Sequence, residues 1–382
     1  MTLADNRTAG SAAAQKPPFR ADHVGSLLRS PALIALRERA AREAVDPAAL
    51  REIEDRAIRD VIALQEAIGL EAITDGEFRR EVWHLDFLSQ FQGIEQLHAG
   101  TAQQVKEWAS RGQTAPVSLM VSGKLRRVKP IAVDDFKFLK AATSRTPKIC
   151  IPAPTTIHRG QQQAIGKAAY PDIEAFWADI ITAYRAEISD LVAAGCRYLQ
   201  LDEVAFAYLC DEAIRADIAR NGEDPDRLAE KFVDVINAVL RDRPASLAVT
   251  MHTCRGNFRS TWRASGGYDR IAEAVFGETD VDGFFLEYDT ERAGGFEPLR
   301  YVAKGKRVVL GLVSTKTPEI ETKDTIKRRI DAAAKFVPLG NLCLSPQCGF
   351  ASNYQGNLID AEVQRRKLAL VVDVAEEVWG GH

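Results

Sequence analysis

The sequence contains little cysteine, with six residues in a chain of 382. So few and so widely spaced cysteines exclude the disulfide framework that holds small secreted domains together. Long apolar runs are also absent, because no stretch approaches the ~18 residues that a membrane-spanning helix needs. Residues 1–18 carry Asp5 and lack the apolar segment of a secretory signal. We therefore expect a cytoplasmic protein with reduced cysteines and a flexible tail at residues 1–18.

An excess of charge of one sign is absent too, since 50 lysines and arginines stand against 53 aspartates and glutamates, for a net charge of −3. Duplex binding requires a concentrated basic face, so we expect no nucleic acid partner. With 46% hydrophobic and 27% charged residues, the composition is that of a globular protein with a large core. We expect small-molecule partners and no membrane contact, and the sequence leaves the oligomeric state open.

Short apolar, β-branched runs recur along the chain, each followed by a polar turn and a longer amphipathic stretch. Continuous apolar strands that alternate with helices are typical of a parallel sheet covered by helices. Eight such runs favour a (β/α)8 TIM barrel, formed as a single catalytic domain over residues 19–382, above an open doubly wound sheet. The runs lie at residues 19–26, 71–77, 147–152, 197–202, 247–252, 282–287, 307–312 and 341–346.

Two helices are clearly defined by apolar residues at three- and four-residue steps. One is predicted over 46–69, with Asp46 as N-cap, Pro47 in the first turn and Gly69 at the end. The other is predicted over 172–195. Residues from about 89 to 141 interrupt the alternation, and we expect a hairpin-bearing insertion there, after the second strand. The basic run 124–129 within it indicates an edge strand protected by charge.

Residues able to bind a metal follow the later strands. His252 and Cys254 stand two apart at the end of one run, so their side chains point to the same face of an extended chain. Glu287 ends the next run, and Cys348 follows the last one beside Gly349. The carboxyl ends of barrel strands meet at the active-site face. Histidine, two cysteines and a carboxylate form a donor set suited to four-coordinate Zn²⁺.

These residues also have a plainer interpretation. Cysteine is a common small buried hydrophobe, and an isolated His-x-Cys pattern arises by chance. Glu287 could instead pair with Arg255 or Arg292 at the barrel mouth. The other four cysteines lie within apolar runs, and we expect them to pack in the core: Cys150, Cys196, Cys210 and Cys343.

The order and spacing of these motifs resemble the C-terminal catalytic half of cobalamin-independent methionine synthase, and more closely its half-length, single-domain relatives. The resemblance covers about residues 19–375. It implies a TIM-barrel enzyme with zinc at the carboxyl ends of the strands. The zinc ligands that it implies are His252, Cys254, Glu287 and Cys348.

Three further motifs resemble the segments with which this family holds its amino acid substrate. The His-Val-Gly-Ser run at 23–26 implies that Ser26 holds a substrate carboxylate. The runs at 75–78 and 199–203 imply that Glu77 and Asp202 hold a substrate ammonium. By sequence alone, Ser26 could equally belong to a helix N-cap and Asp202 could cap the next helix. Glu77 could pair with a neighbouring arginine at the rim.

One segment departs from the family pattern. The family's next-to-last strand ends in Asp-Ile-His-Ser-Pro, whose histidine is assigned as the acid that protonates the departing folate. Here residues 311–318 are GLVSTKTP, with Ser314 in place of the aspartate and Lys316 in place of the histidine. We therefore take Lys316 as the candidate catalytic acid. The methyl donor stays open between a 5-methyltetrahydrofolate-type compound and methylcobalamin presented by a corrinoid protein.

The resemblance implies a zinc-dependent thiol S-alkyltransferase, with homocysteine as methyl acceptor and Glu287 as an exchangeable catalytic ligand. A first alternative is alkyl transfer to another thiol, such as coenzyme M attacking an epoxide. A sulfonated thiol without an amine calls for basic residues, of which Arg20, Arg255 and Lys316 are candidates, whereas an acidic pair suits an ammonium. A second alternative is a structural zinc-binding protein, whose closed site would not exchange a ligand for an added thiol.

Overall fold

The computed structural model describes residues 16–40, 42–98 and 117–381. Five of the ten strands in the described part of the chain are short and wholly buried, as the continuous apolar runs predict. The strands are β1 (Ala72–Ile73), β2 (Gln92–His98), β3 (Val117–Arg126), β4 (Thr146–Pro147), β5 (Ile149–Pro152), β6 (Tyr198–Glu203), β7 (Ala248–Thr253), β8 (Gly283–Glu287), β9 (Arg307–Val313) and β10 (Leu342–Pro346).

Strands β5 to β10 form one parallel sheet in which each strand pairs with the next along the chain. β1 pairs in parallel with β4, which directly precedes β5. The first run closes the circle, because Ala21 pairs in parallel with Leu344 of β10. On its other side, the Leu27 N–H donates to the Gly76 carbonyl at 3.1 Å, next to β1. These pairings follow the order of a (β/α)8 TIM barrel, and the predicted fold class is confirmed.

The second predicted strand is much shorter than its apolar run. The second run was predicted over 71–77, but β1 ends at Ile73 because Gly76 (φ +67°) and Glu77 (φ +60°) turn the chain out of the sheet. Thr74 marks this change, since its hydroxyl donates to the Gly25 carbonyl at 2.7 Å. The side chain of Glu77 is therefore set by a turn and not by strand alternation.

The helices cover the outside of the barrel strands. Asp46 caps the second helix by accepting from the Ala48 N–H at 2.9 Å, and Gly69 ends it with φ +104°. Asp172 caps the helix predicted over 172–195 in the same way. Both predicted helices are confirmed within two residues. The helices are α1 (Pro31–Ala40), α2 (Pro47–Ile68), α3 (Leu85–Leu88), α4 (Val133–Ala142), α5 (Ile173–Ala193), α6 (Ala205–Tyr208), α7 (Glu212–Arg220), α8 (Pro225–Leu240), α9 (Ala272–Glu278), α10 (Lys323–Ala333) and α11 (Ala361–Trp379).

The segment after the second barrel strand contains the predicted hairpin. β2 and β3 pair antiparallel, with Ile94 opposite Val121, and residues 99–116 between them lie outside the described residues. The basic run that follows does more than protect an edge, because Arg127 donates to Glu187 of α5 at 2.6 Å. α4, at the end of the predicted insertion, leads back to β4. The tail predicted at 1–18 lies outside the described residues as far as residue 15.

The apolar core lies between the strands and the surrounding helices. Leu199 and Met251 are fully buried on neighbouring strands, and Phe232 and Ile236 of α8 pack in the same core. This framework fixes the carboxyl ends of the strands, where the polar residues gather. Among the described residues, no helix combines the length and apolar character that crossing a membrane requires.

Candidate metal and substrate site

The four predicted zinc ligands meet at the carboxyl ends of β7, β8 and β10. One donor atom from each residue lies within 4.8 Å of the other three, and all four residues are buried. Within this group, the two cysteine sulfurs are 3.4 Å apart. The group, called the metal cluster below, consists of His252, Cys254, Glu287 and Cys348.

Backbone pairing places the two cysteines. The Cys254 N–H donates to the Glu203 carbonyl at 2.8 Å, so Cys254 continues the register between β6 and β7 for one residue past the strand. The turn that carries Cys348 is held against β9 by the Gln347 N–H, which donates to the Val313 carbonyl at 2.8 Å. Glycine at 349 lets this turn approach the first run closely, because a Cβ there would lie 1.9 Å from the Ser26 hydroxyl.

His252 presents one ring nitrogen to the cluster. Its Nδ1 lies 3.3 Å from the Phe285 carbonyl, an acceptor that favours the tautomer with the proton on Nδ1. Its Nε2 is buried without a hydrogen-bond partner among the described residues. A buried nitrogen lone pair without a partner is costly unless a cation or donor meets it. Burial lowers the pKa of His252, but the Cys348 sulfur together with the carboxyls of Asp202 and Glu287 outweighs burial, and the pKa is raised.

The two sulfurs shift each other's pKa in opposite directions. The hydrogen bond from Cys254 lowers the pKa of Cys348 well below its usual range. The same bond, reinforced by burial, raises the pKa of Cys254 well above its usual range. The two cysteines therefore differ in acidity, and a divalent cation would stabilise both of them as thiolates.

Glu287 has partners in the chain for both of its oxygens. Oε1 accepts from the Arg255 N–H at 3.2 Å, and Oε2 accepts from Arg292 Nη2 at 3.2 Å. Burial raises the pKa of Glu287, and the charge of Lys316 opposes this shift. The arginine contacts that were the alternative interpretation of Glu287 are thus present together with its place in the cluster. The donor set of one imidazole, two thiols and one carboxyl fits Zn²⁺.

The three predicted substrate-binding residues lie beside the cluster. Ser26, Glu77 and Asp202 line a cavity of about 610 Å³ that is also lined by three members of the metal cluster. Burial raises the pKa of Glu77 to about 7, against the opposing charge of Arg80. Burial likewise raises the pKa of Asp202 to about 6. Glu77 Oε2 has no hydrogen-bond partner among the described residues, so the pair suits a cationic ligand.

Cys150 lies at this acidic pair, where sequence reasoning did not place it. Its sulfur and one carboxylate oxygen from each of Glu77 and Asp202 lie within 4.8 Å of one another. Cys150 pairs in register with Gln200, whose Nε2 donates to Asp202 Oδ1 at 2.7 Å. The sequence signal that could have placed Cys150 is the alternation of side chains between the two faces of the short strand β5. The other three cysteines predicted as packing residues lie in apolar clusters: Cys196, Cys210 and Cys343.

Lys316 lies close to the metal cluster but faces a neighbouring cavity. Its ammonium donates to the Gly256 carbonyl at 3.2 Å and to Asn257 Oδ1 at 3.0 Å. The side chain lines a second cavity of about 420 Å³, which shares Trp262 with the first. The structure thus brings Lys316 within electrostatic reach of Glu287 and of both cluster cysteines.

A parallel barrel with two thiols, an imidazole and a carboxyl at the carboxyl ends of its strands defines a TIM-barrel protein with a candidate zinc site. The family model described as "Cobalamin-independent synthase, Catalytic domain" matches residues 19–377. The chain belongs to this family, and the resemblance expected from its motifs is confirmed.

Three known proteins illustrate the relationship. The uncharacterized protein YxjH of Bacillus subtilis (strain 168) is 44% identical over 96% of both chains. The crystal structure of a candidate vitamin-B12-independent methionine synthase of Listeria monocytogenes superposes with a TM-score of 0.77. It is 38% identical and covers 96% of this chain and 99% of its own. The 5-methyltetrahydropteroyltriglutamate–homocysteine methyltransferase of Acidiphilium cryptum (strain JF-5) is 26% identical over 90% of this chain but only 42% of its own.

Proposed function

We propose that this protein is a zinc-dependent thiol S-methyltransferase that methylates homocysteine to methionine. The observation that carries the proposal is one cavity lined by the acidic pair and by three members of the metal cluster, with a Glu287 oxygen within 4.8 Å of their donor atoms. The donors suit the sulfur of the substrate and the acidic pair suits its ammonium. Membership of the family and the methyltransferase names among its relatives support the same reaction class.

The metal cluster would hold Zn²⁺, which lowers the pKa of a coordinated thiol so that a thiolate nucleophile exists at neutral pH. The chain contributes two thiolates and one carboxylate, one negative charge more than a dication carries. Glu287 would be the exchangeable member of this donor set. Its oxygens accept from Arg255 and Arg292, so the carboxylate would keep hydrogen-bond partners whether or not it bound the metal.

The acidic pair would orient the amino acid end of the substrate. A bound ammonium would lower the pKa values of Glu77 and Asp202, which burial raises, and would so favour their ionised forms. Ser26, in the wall of the same cavity, would hold the substrate carboxylate. A substrate fixed at both its ammonium and its carboxylate presents its thiol to the metal cluster in one orientation.

In the transfer step, the substrate thiolate attacks the methyl carbon of the donor, a carbon–sulfur bond forms and the bond to the leaving group breaks. The leaving group takes the electron pair and needs a proton if the donor is a 5-methyltetrahydrofolate-type compound. We assign that proton to Lys316, whose ammonium has three N–H groups and donates two of them to Gly256 and Asn257. Methylcobalamin, presented by a corrinoid protein, is the alternative donor and needs no such acid.

The test combines zinc quantification with a panel of substrates. Homocysteine, coenzyme M and glutathione are each offered with 5-methyltetrahydrofolate, methylcobalamin and an epoxide. We expect one zinc per chain and methyl transfer to homocysteine above the other thiols. The variant Cys348→Ala loses both zinc and transfer, whereas Cys343→Ala, a fully buried cysteine of the same strand region, keeps both.

Two results would contradict the proposal. Full zinc content and full transfer in Cys348→Ala would show that the metal cluster takes no part in the reaction. Alkylation of coenzyme M by an epoxide, with no methylation of homocysteine, would show that the chain is the alternative alkyltransferase. Turnover with methylcobalamin and with no folate would overturn only the assignment of donor and of Lys316 as acid.

A further inference from the structure

Two arginines at the rim of the cavity have no acidic partner. Arg159 follows β5 and Arg263 follows β7, and both line the cavity that contains the metal cluster and the acidic pair. In the described part of the chain, neither guanidinium makes an ion pair or a side-chain hydrogen bond. Arg263 instead lies over the ring of Tyr208, 5.6 Å from its centroid. One cavity is therefore lined by two guanidinium groups without an ion-pair partner and by the two carboxyls of the acidic pair.

The position of Arg159 is costly to the protein. Its backbone has φ +44°, in the left-handed region that residues other than glycine seldom adopt. Its side chain is half-buried, and burial lowers the pKa of its guanidinium. A cation withdrawn from water without a partner is unfavourable, so an incoming anion would recover this cost.

The carboxylate that acts electrostatically on Arg159 is already hydrogen-bonded elsewhere. Glu203 acts on it electrostatically, but its Oε1 accepts from the Thr155 hydroxyl at 2.8 Å and from the Ala205 N–H at 2.9 Å. Its Oε2 accepts from the Phe206 N–H at 2.6 Å. Both oxygens of Glu203 are thus occupied within their own segment, and the guanidinium remains available to a ligand.

The same end of the cavity offers aromatic faces. Trp262 is 57% exposed and Phe258 is 62% exposed, and both line the cavity beside Arg263. Trp83 lines the cavity as well. Exposed aromatic rings together with free guanidinium groups favour a ligand that carries a flat or apolar part and an anionic group.

We propose that Arg159 and Arg263 form a subsite for an anionic group, a carboxylate or a phosphate, on the alkyl donor. The assignment of this group to the donor rests on the proposed function, because the acidic pair and the metal cluster then serve the thiol substrate. The subsite itself, as a binding site for an oxyanion, rests only on the two arginines and the cavity.

The test measures anion binding with no thiol and no alkyl donor present. Inorganic phosphate and glutarate are titrated into the zinc-loaded protein at constant ionic strength, and binding is followed by tryptophan fluorescence and by calorimetry. Trp83 and Trp262 lie in the cavity and make the fluorescence sensitive to an occupant. We expect saturable binding of at least one anion, and the one that binds more tightly identifies the group as phosphate or carboxylate.

The variants test whether anion binding depends on these two arginines or on positive charge elsewhere on the protein. Arg159→Gln should weaken binding about 10-fold, which corresponds to the loss of one charge-assisted hydrogen bond. Arg263→Gln, at an exposed position that does not threaten folding, should weaken it by a smaller factor, and Arg159→Lys should keep part of it. Arg227→Gln is the matched control, because this exposed arginine lies on α8 outside the cavity and should leave binding unchanged.

Absence of saturable binding of either anion would overturn the subsite. Binding that is equal in the wild type and in the Arg159→Gln, Arg263→Gln double variant would overturn it too. Because no transfer is measured, a protein that binds anions through these arginines but methylates no thiol would contradict the proposed function alone. An active methyltransferase that binds neither anion would contradict the subsite alone.

Discussion

At the residue scale, three of the four members of the metal cluster are oriented by a contact outside the cluster. His252 Nδ1 meets the Phe285 carbonyl, and Cys254 Sγ accepts from the Gly256 N–H at 3.3 Å. Glu287 is held by two arginines, one through its backbone and one through its guanidinium. Contacts of this kind fix the direction of metal donors before a metal arrives. The cluster is therefore organised for binding by its neighbours in the chain.

The acidic pair predicts a pH dependence of amine recognition. Burial raises the pKa of Glu77 to about 7 and that of Asp202 to about 6. Below these values the carboxyls are neutral and attract an ammonium weakly, and above them they are ionised. The preference for homocysteine over 4-mercaptobutyrate, which lacks the amine, should therefore grow from pH 5.5 to pH 8. We expect a gain of about 10-fold or more, the worth of one charge-assisted hydrogen bond.

The ratio of the two dissociation constants, measured by calorimetry at each pH, is the relevant quantity, since deprotonation of the thiol affects both ligands and cancels. Glu77→Gln should flatten the dependence. A ratio that does not change with pH in the wild type would show that these carboxyls do not hold the ammonium.

Lys316 allows a second prediction at this scale. Lys316→Met leaves the Gly256 carbonyl and Asn257 Oδ1 without their donor and removes the positive charge near Glu287. Turnover with a folate donor should fall at least about 10-fold, because the leaving group loses its acid. Turnover with methylcobalamin should fall much less. Zinc content, measured in the same preparations, should remain at one per chain.

Loss of zinc from Lys316→Met would instead show that the lysine builds the site and does not act on the leaving group. Lys316→Arg is the comparison variant, because it keeps the charge while altering the geometry and proton affinity of the donor.

At the element scale, the fold and the metal cluster could be predicted because both follow from strand ends. Parallel strands bring their carboxyl ends together, so His252 at the end of one run and Glu287 at the end of the next had to approach each other. The two clearest helices were equally accessible, since Asp46 and Gly69 mark both ends of α2. Periodicity and caps are local properties, and the sequence contains them in full.

Other parts of the site depend on contacts that local patterns do not contain. Cys150 appeared to be a packing residue because its strand is wholly apolar, and only the register with Gln200 brings it to the acidic pair. Arg159 stands at an inconspicuous place in a loop, with φ +44° that no residue type signals there. The lack of a partner for a guanidinium is a property of the assembled cavity, so it cannot be seen in a sequence.

The close approach of two loops gives a prediction at this scale. A Cβ on Gly349 would lie 1.9 Å from the Ser26 hydroxyl, so Gly349→Ala forces the cysteine turn away from the first run. We expect a loss of about 1–3 kcal/mol in the free energy of unfolding, as for other overpacked positions. Zinc affinity should fall in parallel because the turn carries Cys348.

The control is Gly340→Ala, since a Cβ there meets no atom within 4 Å. Denaturant unfolding and zinc titration of both variants test the prediction. Equal stability and equal zinc affinity in the two alanine variants would show that the turn adjusts without cost.

At the scale of the whole molecule, the metal cluster joins the later strands of the barrel to its closure. Its side chains come from β7, β8 and the turns after β7 and β10, and β10 pairs with the first run through Leu344 and Ala21. A bound metal would therefore stabilise the side of the barrel at which the chain closes on itself. Removal of the metal should therefore lower the stability of the whole fold and not only change the site.

This coupling predicts the response of thermal stability to zinc. A ligand that binds only the folded state adds about 1.4 kcal/mol of stability for each tenfold rise in its free concentration above the dissociation constant. In buffers of defined free zinc, the melting temperature of the wild type should therefore rise steadily with the logarithm of free zinc. Cys348→Ala, which leaves three donors, should give a nearly flat line.

Cys343→Ala is the informative control, because it loses a buried side chain in the apolar core but no metal donor. Its melting temperature should lie below that of the wild type at every zinc concentration and rise with the same slope. The slope reports metal binding and the offset reports packing, so the two effects separate in one experiment. Parallel lines for Cys343→Ala and Cys348→Ala would mean that zinc stabilises the barrel through residues other than this cluster.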